Sequence, residues 1–236
     1  MAVRSNIRYI AHWVLRELAF GTYVPLSVAA AATRMRVFDV NIFDPAGGQV
    51  LVEDIDELLT YTNIEDDTLS GIPSSGTGSI TATINPVTSA SRDLIYRPEF
   101  LTYYELERAL DRYRVQAIER AYPDAEFKVY SCGRGWWDTD AETRDDDDDS
   151  FTELAPNTEN FEEGVVEFTT ARTEEVLWIA GYAFNPFSTI ADLILNLAHD
   201  GRWAKFQSHG SSSLVKKDAN EIAEYYRKKA AMLNYL

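Results

Sequence analysis

Three histidines, one cysteine, a run of five aspartates and two serine-rich turns are the residues with chemistry to offer in this chain. His12, His199 and His209 each stand alone in their segment, with no His-x-x-x-His or His-Glu pair, so zinc ligation and general-base work both lack a second group. His199 at the end of a helical pattern suits the negative end of a helix dipole, and His209 falls in a polar turn. Cys132 lies in Ser-Cys-Gly-Arg-Gly-Trp-Trp, where Arg134 could lower a thiol pKa, but no histidine is nominated as its base. Trp136 and Trp137 after that glycine turn read as anchors of a loop onto a core. Neither Ser74-Ser75 nor Ser211-Ser212-Ser213 has the context of a nucleophile elbow, and residues 73–78 lack the Lys-Ser or Lys-Thr of a phosphate loop. The aspartates at 145–149 are hard oxygen ligands of the kind calcium takes, without the alternating acids, central glycine and distal glutamate of an EF-hand. Two readings stay open: carboxylates between 138 and 163 that hold a divalent cation for catalysis or binding, or structural work with no catalytic residue, metal or cofactor.

A formal charge of −16 disfavours a chain that grips nucleic acid, because a surface this negative repels phosphate. Such a surface can still line a passage through which DNA moves without sticking. It also fits a halophilic source, where salt screens the self-repulsion, and arginine outnumbers lysine here. The 236 residues, 45% apolar and 12% aromatic, are enough for one good core or two small ones. No apolar run approaches the ~20 residues of a membrane span, and the start does not read as a secretory signal, so the expected setting is intracellular or inside a particle assembled there. The lone cysteine excludes an intrachain disulfide.

The elements follow from periodicity. Ile7, Ile10, Ala11, Val14, Leu15 and Leu18 predict an amphipathic helix over 5–20. Short strands are expected near 49–52, 58–62, 68–71 and 79–84, split by acidic turns at 54–56 and 65–67 and by the Gly/Ser loop at 73–78. Tyr103, Leu106, Leu110, Tyr113 and Ala117 predict the clearest helix, over 98–122 between two prolines. Strands at 127–130, 165–169 and 176–182 flank residues 138–163, whose dense like charge predicts a long mobile loop. Helices at 188–199 and 217–233 complete the chain, the latter with Asp218 and Glu221 at capping-box spacing. The fold class expected is α+β: a bundle of four or so helices, from 1–34 and 97–236, carrying a small antiparallel β-module at 35–96 and a long acidic loop.

Two patterns resemble a known family. A strand with Leu59-x-Tyr61-Thr62, an acidic turn, Thr68-Leu69-x-Gly71-Ile72 and a Gly/Ser-rich exit is similar to an element of tailed-virus neck proteins. The order Gly181-Tyr182-Ala183, a helix Ile-Ala-Asp-Leu-Ile-Leu-Asn-Leu-Ala at 190–198, Trp203-x-Lys205-Phe206, a Gly/Ser turn and a helix with Tyr225-Tyr226-Arg227 resembles the helical core of head–tail adaptors. The β-module is larger than a minimal adaptor needs, a departure from the pattern. The resemblance implies a structural virion protein in a homo-oligomeric, dodecameric ring between the portal protein and the adjacent neck or tail protein, with DNA passing nearby unbound. It also implies that the turn holding His209, Ser211 and Ser212 touches neighbouring subunits. From charge, the basic cluster Tyr225, Tyr226, Arg227, Lys228 and Lys229 is a docking candidate. From exposed turns of short strands that need covering, so are Asp54, Asp56, Ser74 and Ser75.

Overall fold

The computed structural model of the chain describes residues 4–18, 20–52, 57–86, 94–97, 100–145, 153–204 and 218–233. They divide into two compact units. One contains Ala11–Glu107 and Ile190–Glu224, the other Arg4–Ile10, Arg108–Thr189 and Tyr225–Leu236.

In the first unit, β1 (Gly21–Tyr23), β2 (Arg34–Arg36), β3 (Gly48–Val52), β4 (Glu57–Tyr61), β5 (Asn63–Glu65), β6 (Thr68–Ser70) and β7 (Leu94–Tyr96) form two antiparallel sheets, ordered β1-β7-β3-β4 and β2-β6-β5. Alternate strand residues share a face, so Val50, Val52, Leu59 and Tyr61 turn inward and join Met35, Leu69, Ile84 and Ile95 in one core. The acidic turn expected at 65–67 is the β5–β6 hairpin. Asp66 adopts φ +54 there, and β2 neutralises the turn, with Arg36 on Asp67 at 2.6 Å and Arg34 on Glu65. The strand expected at 79–84 is instead a loop. Ile80 and Ile84 are both buried, and these two anchors, with one bridge from Ile84 to Val28, hold it without a ladder.

The helical stripes at both ends of the chain form as the spacing requires. A 3-10 turn at Ser5–Ile7 runs into α1 (Arg8–Glu17), and Ile7, Ile10, Ala11, Val14, Leu15 and Leu18 are all buried. α2 (Tyr103–Arg112) opens on a capping box: the Thr102 amide donates to Glu105 at 2.9 Å and the Glu105 amide to the Thr102 hydroxyl at 3.3 Å. In α3 (Pro186–His199), Ile190, Leu193, Ile194 and Leu197 are buried. In α4 (Ala219–Leu233), Asp218 caps the first turn by accepting from the Asn220 amide at 2.8 Å, and Ile222, Tyr226 and Ala230 are buried.

The second unit overturns the expected helical bundle. It holds a seven-stranded antiparallel sheet curled into a half-barrel, so the described chain is built mostly of strands. The strands are β8 (Arg114–Pro123), β9 (Val129–Cys132), β10 (Glu142–Asp145), β11 (Glu153–Leu154), β12 (Thr158–Asn160), β13 (Val165–Glu167) and β14 (Leu177–Phe184), in the order β11-β10-β14-β8-β9-β13-β12. The helix expected over 98–122 stops at Arg112, and the chain turns at Tyr113, whose amide donates to the Leu110 carbonyl at 3.0 Å. From there β8 pairs with β14 from Arg114↔Phe184 to Ala121↔Leu177. That long central ladder outweighs the helix propensity of the same residues. The acidic segment is likewise no single mobile loop. Glu142–Asp145 inserts between β11 and β14, and Thr158–Asn160 closes the far edge; the aspartates at 146–149 lie outside the described residues.

One face of this sheet covers a core of Ala121, Tyr130, Cys132, Trp137, Val166, Leu177, Ile179 and Ala183. The β12–β13 connection presses on it at Gly164, which has φ +68. A Cβ there would stand 2.1 Å from the Arg134 carbonyl oxygen and 2.7 Å from Cys132 Sγ, so only glycine fits.

Candidate functional site

The other face of the seven-stranded sheet is open. Because alternate residues share a face, β8 displays Arg114, Gln116, Ile118, Arg120 and Tyr122 outward, and the register sets Tyr182, Ala180 and Trp178 of β14 opposite Gln116, Ile118 and Arg120. Ile118 is 65% exposed and Tyr122 56%, the former because its cross-strand neighbour is only an alanine. Tyr182 is also exposed. The guanidinium of Arg114 lies 4.6 Å from the Tyr182 ring centroid and that of Arg120 4.9 Å from the Trp178 ring. These stacks fix two long side chains over two rings, a pre-ordered surface of arginine, aromatic and aliphatic groups.

Two clefts border this face. The first, of about 330 Å³, is lined by Arg4, Asn6, Arg114, Asp138, Asp140, Glu142, Arg144 and Tyr182 among others. Most of its charges are matched: Arg4 pairs with Asp111 at 2.6 Å, Asn6 donates to Asp140 at 2.9 Å, and Arg144 pairs with Glu142. Asp138 is the exception. Its amide donates to the Tyr182 carbonyl at 2.8 Å, which buries the residue, and Oδ1 finds no hydrogen-bond partner among the described residues. Burial pushes the Asp138 carboxyl above the ordinary aspartate range and the neighbouring Asp140 charge adds to the rise, while a hydrogen bond from the Tyr182 backbone and the charge of Arg114 oppose it. The second cleft, of about 320 Å³, lies between Arg112, Arg114, the Gly133-Arg134-Gly135 turn and the start of α3.

Behind the glycine turn, Trp137 is fully buried and donates its indole N–H to the Arg134 carbonyl at 2.7 Å. Trp136, also buried, stacks on Tyr9 at 6.3 Å and meets Phe187 edge-on. The paired tryptophans therefore anchor a loop. Burial pushes the Tyr9 hydroxyl well above its usual value, and that hydroxyl donates to the Trp137 carbonyl.

The residues proposed from sequence are scattered. In the basic cluster, Tyr226 is buried and stacks on Phe187, and Lys229 Nζ sits over the rings of Tyr225, Phe187 and Tyr226 at 4.8, 5.3 and 5.8 Å. Tyr225, Arg227 and Lys228 face outward. Ser74 and Ser75 are exposed in a loop. Asp54, Asp56, His209, Ser211 and Ser212 lie outside the described residues. His12 is buried and His199 exposed at the end of α3. Cys132 is buried, its thiol pushed up by burial and donating to the Arg134 carbonyl at 2.9 Å. Among the described residues no group of three His, Cys, Asp or Glu is placed to hold a metal ion, and no helix is long and apolar enough to cross a membrane. Sequence reasoning missed the open face, and it included Asp138 only as one of the carboxylates between 138 and 163, without singling it out. The face carried little signal, because the inward Ala117, Glu119 and Ala121 are small or polar and a helical stripe runs over the same residues.

No family model, curated protein or solved structure matches this chain.

Proposed function

We propose that this chain is a structural virion subunit, the head–tail adaptor of a tailed virus, bridging the portal and the next neck ring without catalysing a reaction. The observation that carries the reading is the open sheet face. Tyrosine, tryptophan and arginine are enriched where proteins meet, and here they are held in place before any partner arrives. An exposed Ile118 on the same face as Tyr122 and Tyr182 has a use in an assembly that covers it. The adaptor-like pattern near the C-terminus adds support, since its two helices are α3 and α4 and its Gly-Tyr-Ala is the end of β14. A surface of net charge −16 beside a DNA channel keeps the duplex moving by repulsion. The same charge suits a halophilic host.

The test is to combine the full chain with the portal protein encoded in the same genome and weigh the product by native mass spectrometry. A ring carrying both proteins supports the adaptor reading. A chain that ignores portal and neighbouring neck proteins alike over a wide range of KCl overturns it.

A further inference from the structure

The Gly-Arg-Gly turn plays no part in the open face, yet it forms a wall of the second cleft. Arg112 and Arg114 reach this cleft from the α2–β8 junction, Arg134 from the turn, and Asn185 and Ser188 from the start of α3. The described residues lining it include three arginines and no acid, in a chain with 38 acidic and 22 basic residues. Glu119 holds Arg134 at 3.1 Å and Asp111 reaches Arg114 at 3.5 Å, which orients both guanidinium groups. A guanidinium offers five N–H donors, so these contacts leave donors for a further acceptor. The positive end of α3 points the same way, with Asn185 Oδ1 capping the Ser188 amide at 3.0 Å. Trp136 and Phe184 supply apolar walls, and Val115, 49% exposed, an apolar lip.

We propose that this arginine cleft receives a carboxylate side chain from the acidic surface of a second copy of this chain. The inference rests on the ring reading above and names the contact that would build the ring. Planar carboxylates match the guanidinium fork in two-point geometry, and the chain's own acidic excess makes another copy the complementary partner. Repeated head-to-tail from copy to copy, such a contact closes into a ring where the rotation between neighbours allows it.

Native mass spectrometry of the full chain, alone and with the portal protein, tests this with three variants checked for folding by circular dichroism: Arg112→Glu with Arg134→Glu, the single Arg112→Glu at an exposed helix end, and the conservative Arg112→Lys. Self-association of the charge-reversed chains is expected to weaken by about tenfold or more, with Arg112→Lys falling between them and wild type because it keeps the charge and loses the two-point fork, and with high KCl mimicking the reversal. Folded charge-reversed chains that associate as well as wild type overturn the cleft assignment. So does a wild-type chain that stays monomeric in both settings. Rings that depend on the cleft but ignore portal and neighbouring neck proteins alike would sink the adaptor reading and leave the cleft standing.

Discussion

Glu174 and Asp138 are two buried carboxyls with opposite consequences for stability. Glu174 accepts from Arg172 at 3.0 and 2.5 Å and from the Thr173 amide at 2.9 Å. Burial alone would push its carboxyl up, but Arg172 and the backbone amides hold it below the ordinary glutamate range. Its stabilisation is therefore present above the unfolded value, about 4.3, and is lost as pH falls through the lower folded value. Glu174→Gln should cost about 2 kcal/mol at neutral pH and flatten the acid limb of the unfolding curve below about pH 4. Equal acid limbs in the two proteins would mean that the ion pair is not what acid breaks. Asp138 runs the other way. Its raised folded pKa means that the carboxylate subtracts from stability at neutral pH, and the penalty is relieved as pH falls through that raised value. Asp138→Asn should raise stability at neutral pH by roughly 1 kcal/mol, with a gain that shrinks on acidification. A destabilised variant would show that Oδ1 has a donor after all.

At the scale of elements, Gly164 is the position where one methyl group should do most harm. Alanine there must keep φ +68 and push back the Arg134 carbonyl, so Gly164→Ala should lower urea stability by about 2 kcal/mol or more, while leaving the first unit's circular dichroism unchanged. No loss on substitution would place the β12–β13 turn away from Cys132. The same strand neighbourhood explains what the sequence could convey. Helices α1, α3 and α4 were legible because their apolar residues form one stripe at three- and four-residue spacing and nothing else competes. The α2–β8 break was not, since the stripe from Tyr103 to Leu110 runs on through Tyr113 and Ala117. The inward strand residues Ala117, Glu119 and Ala121 are too small or polar to announce period two. β10 and β12 hid for a related reason: each carries mostly charged and polar residues, and only pairing to β14 or β13 makes them strands. The clefts were out of reach, because the first joins residues 4–7, 114–116, 138–144 and 180–184 across the fold. The acidic turn at 65–67, a local feature, was read correctly.

For the whole molecule, the net charge of −16 should make stability rise with salt. Raising KCl from about 0.1 M to about 1 M shortens the screening length from ~10 Å to ~3 Å, so the thermal midpoint should climb by several degrees. A flat or falling midpoint would argue against the acidic surface as a halophilic adaptation. The proposed assembly role depends on the open face of the seven-stranded sheet, and hydroxyl-radical footprinting reads that face side chain by side chain. In the free chain Ile118, Tyr122 and Tyr182 should oxidise readily, as their exposure requires. In the complex with the portal protein they should be protected several-fold, while Phe38, 80% exposed in the other unit, serves as the reference. Equal oxidation of Ile118, Tyr122 and Tyr182 in free and assembled chain would contradict the account, because the face would then be open in the very particle it is held to build.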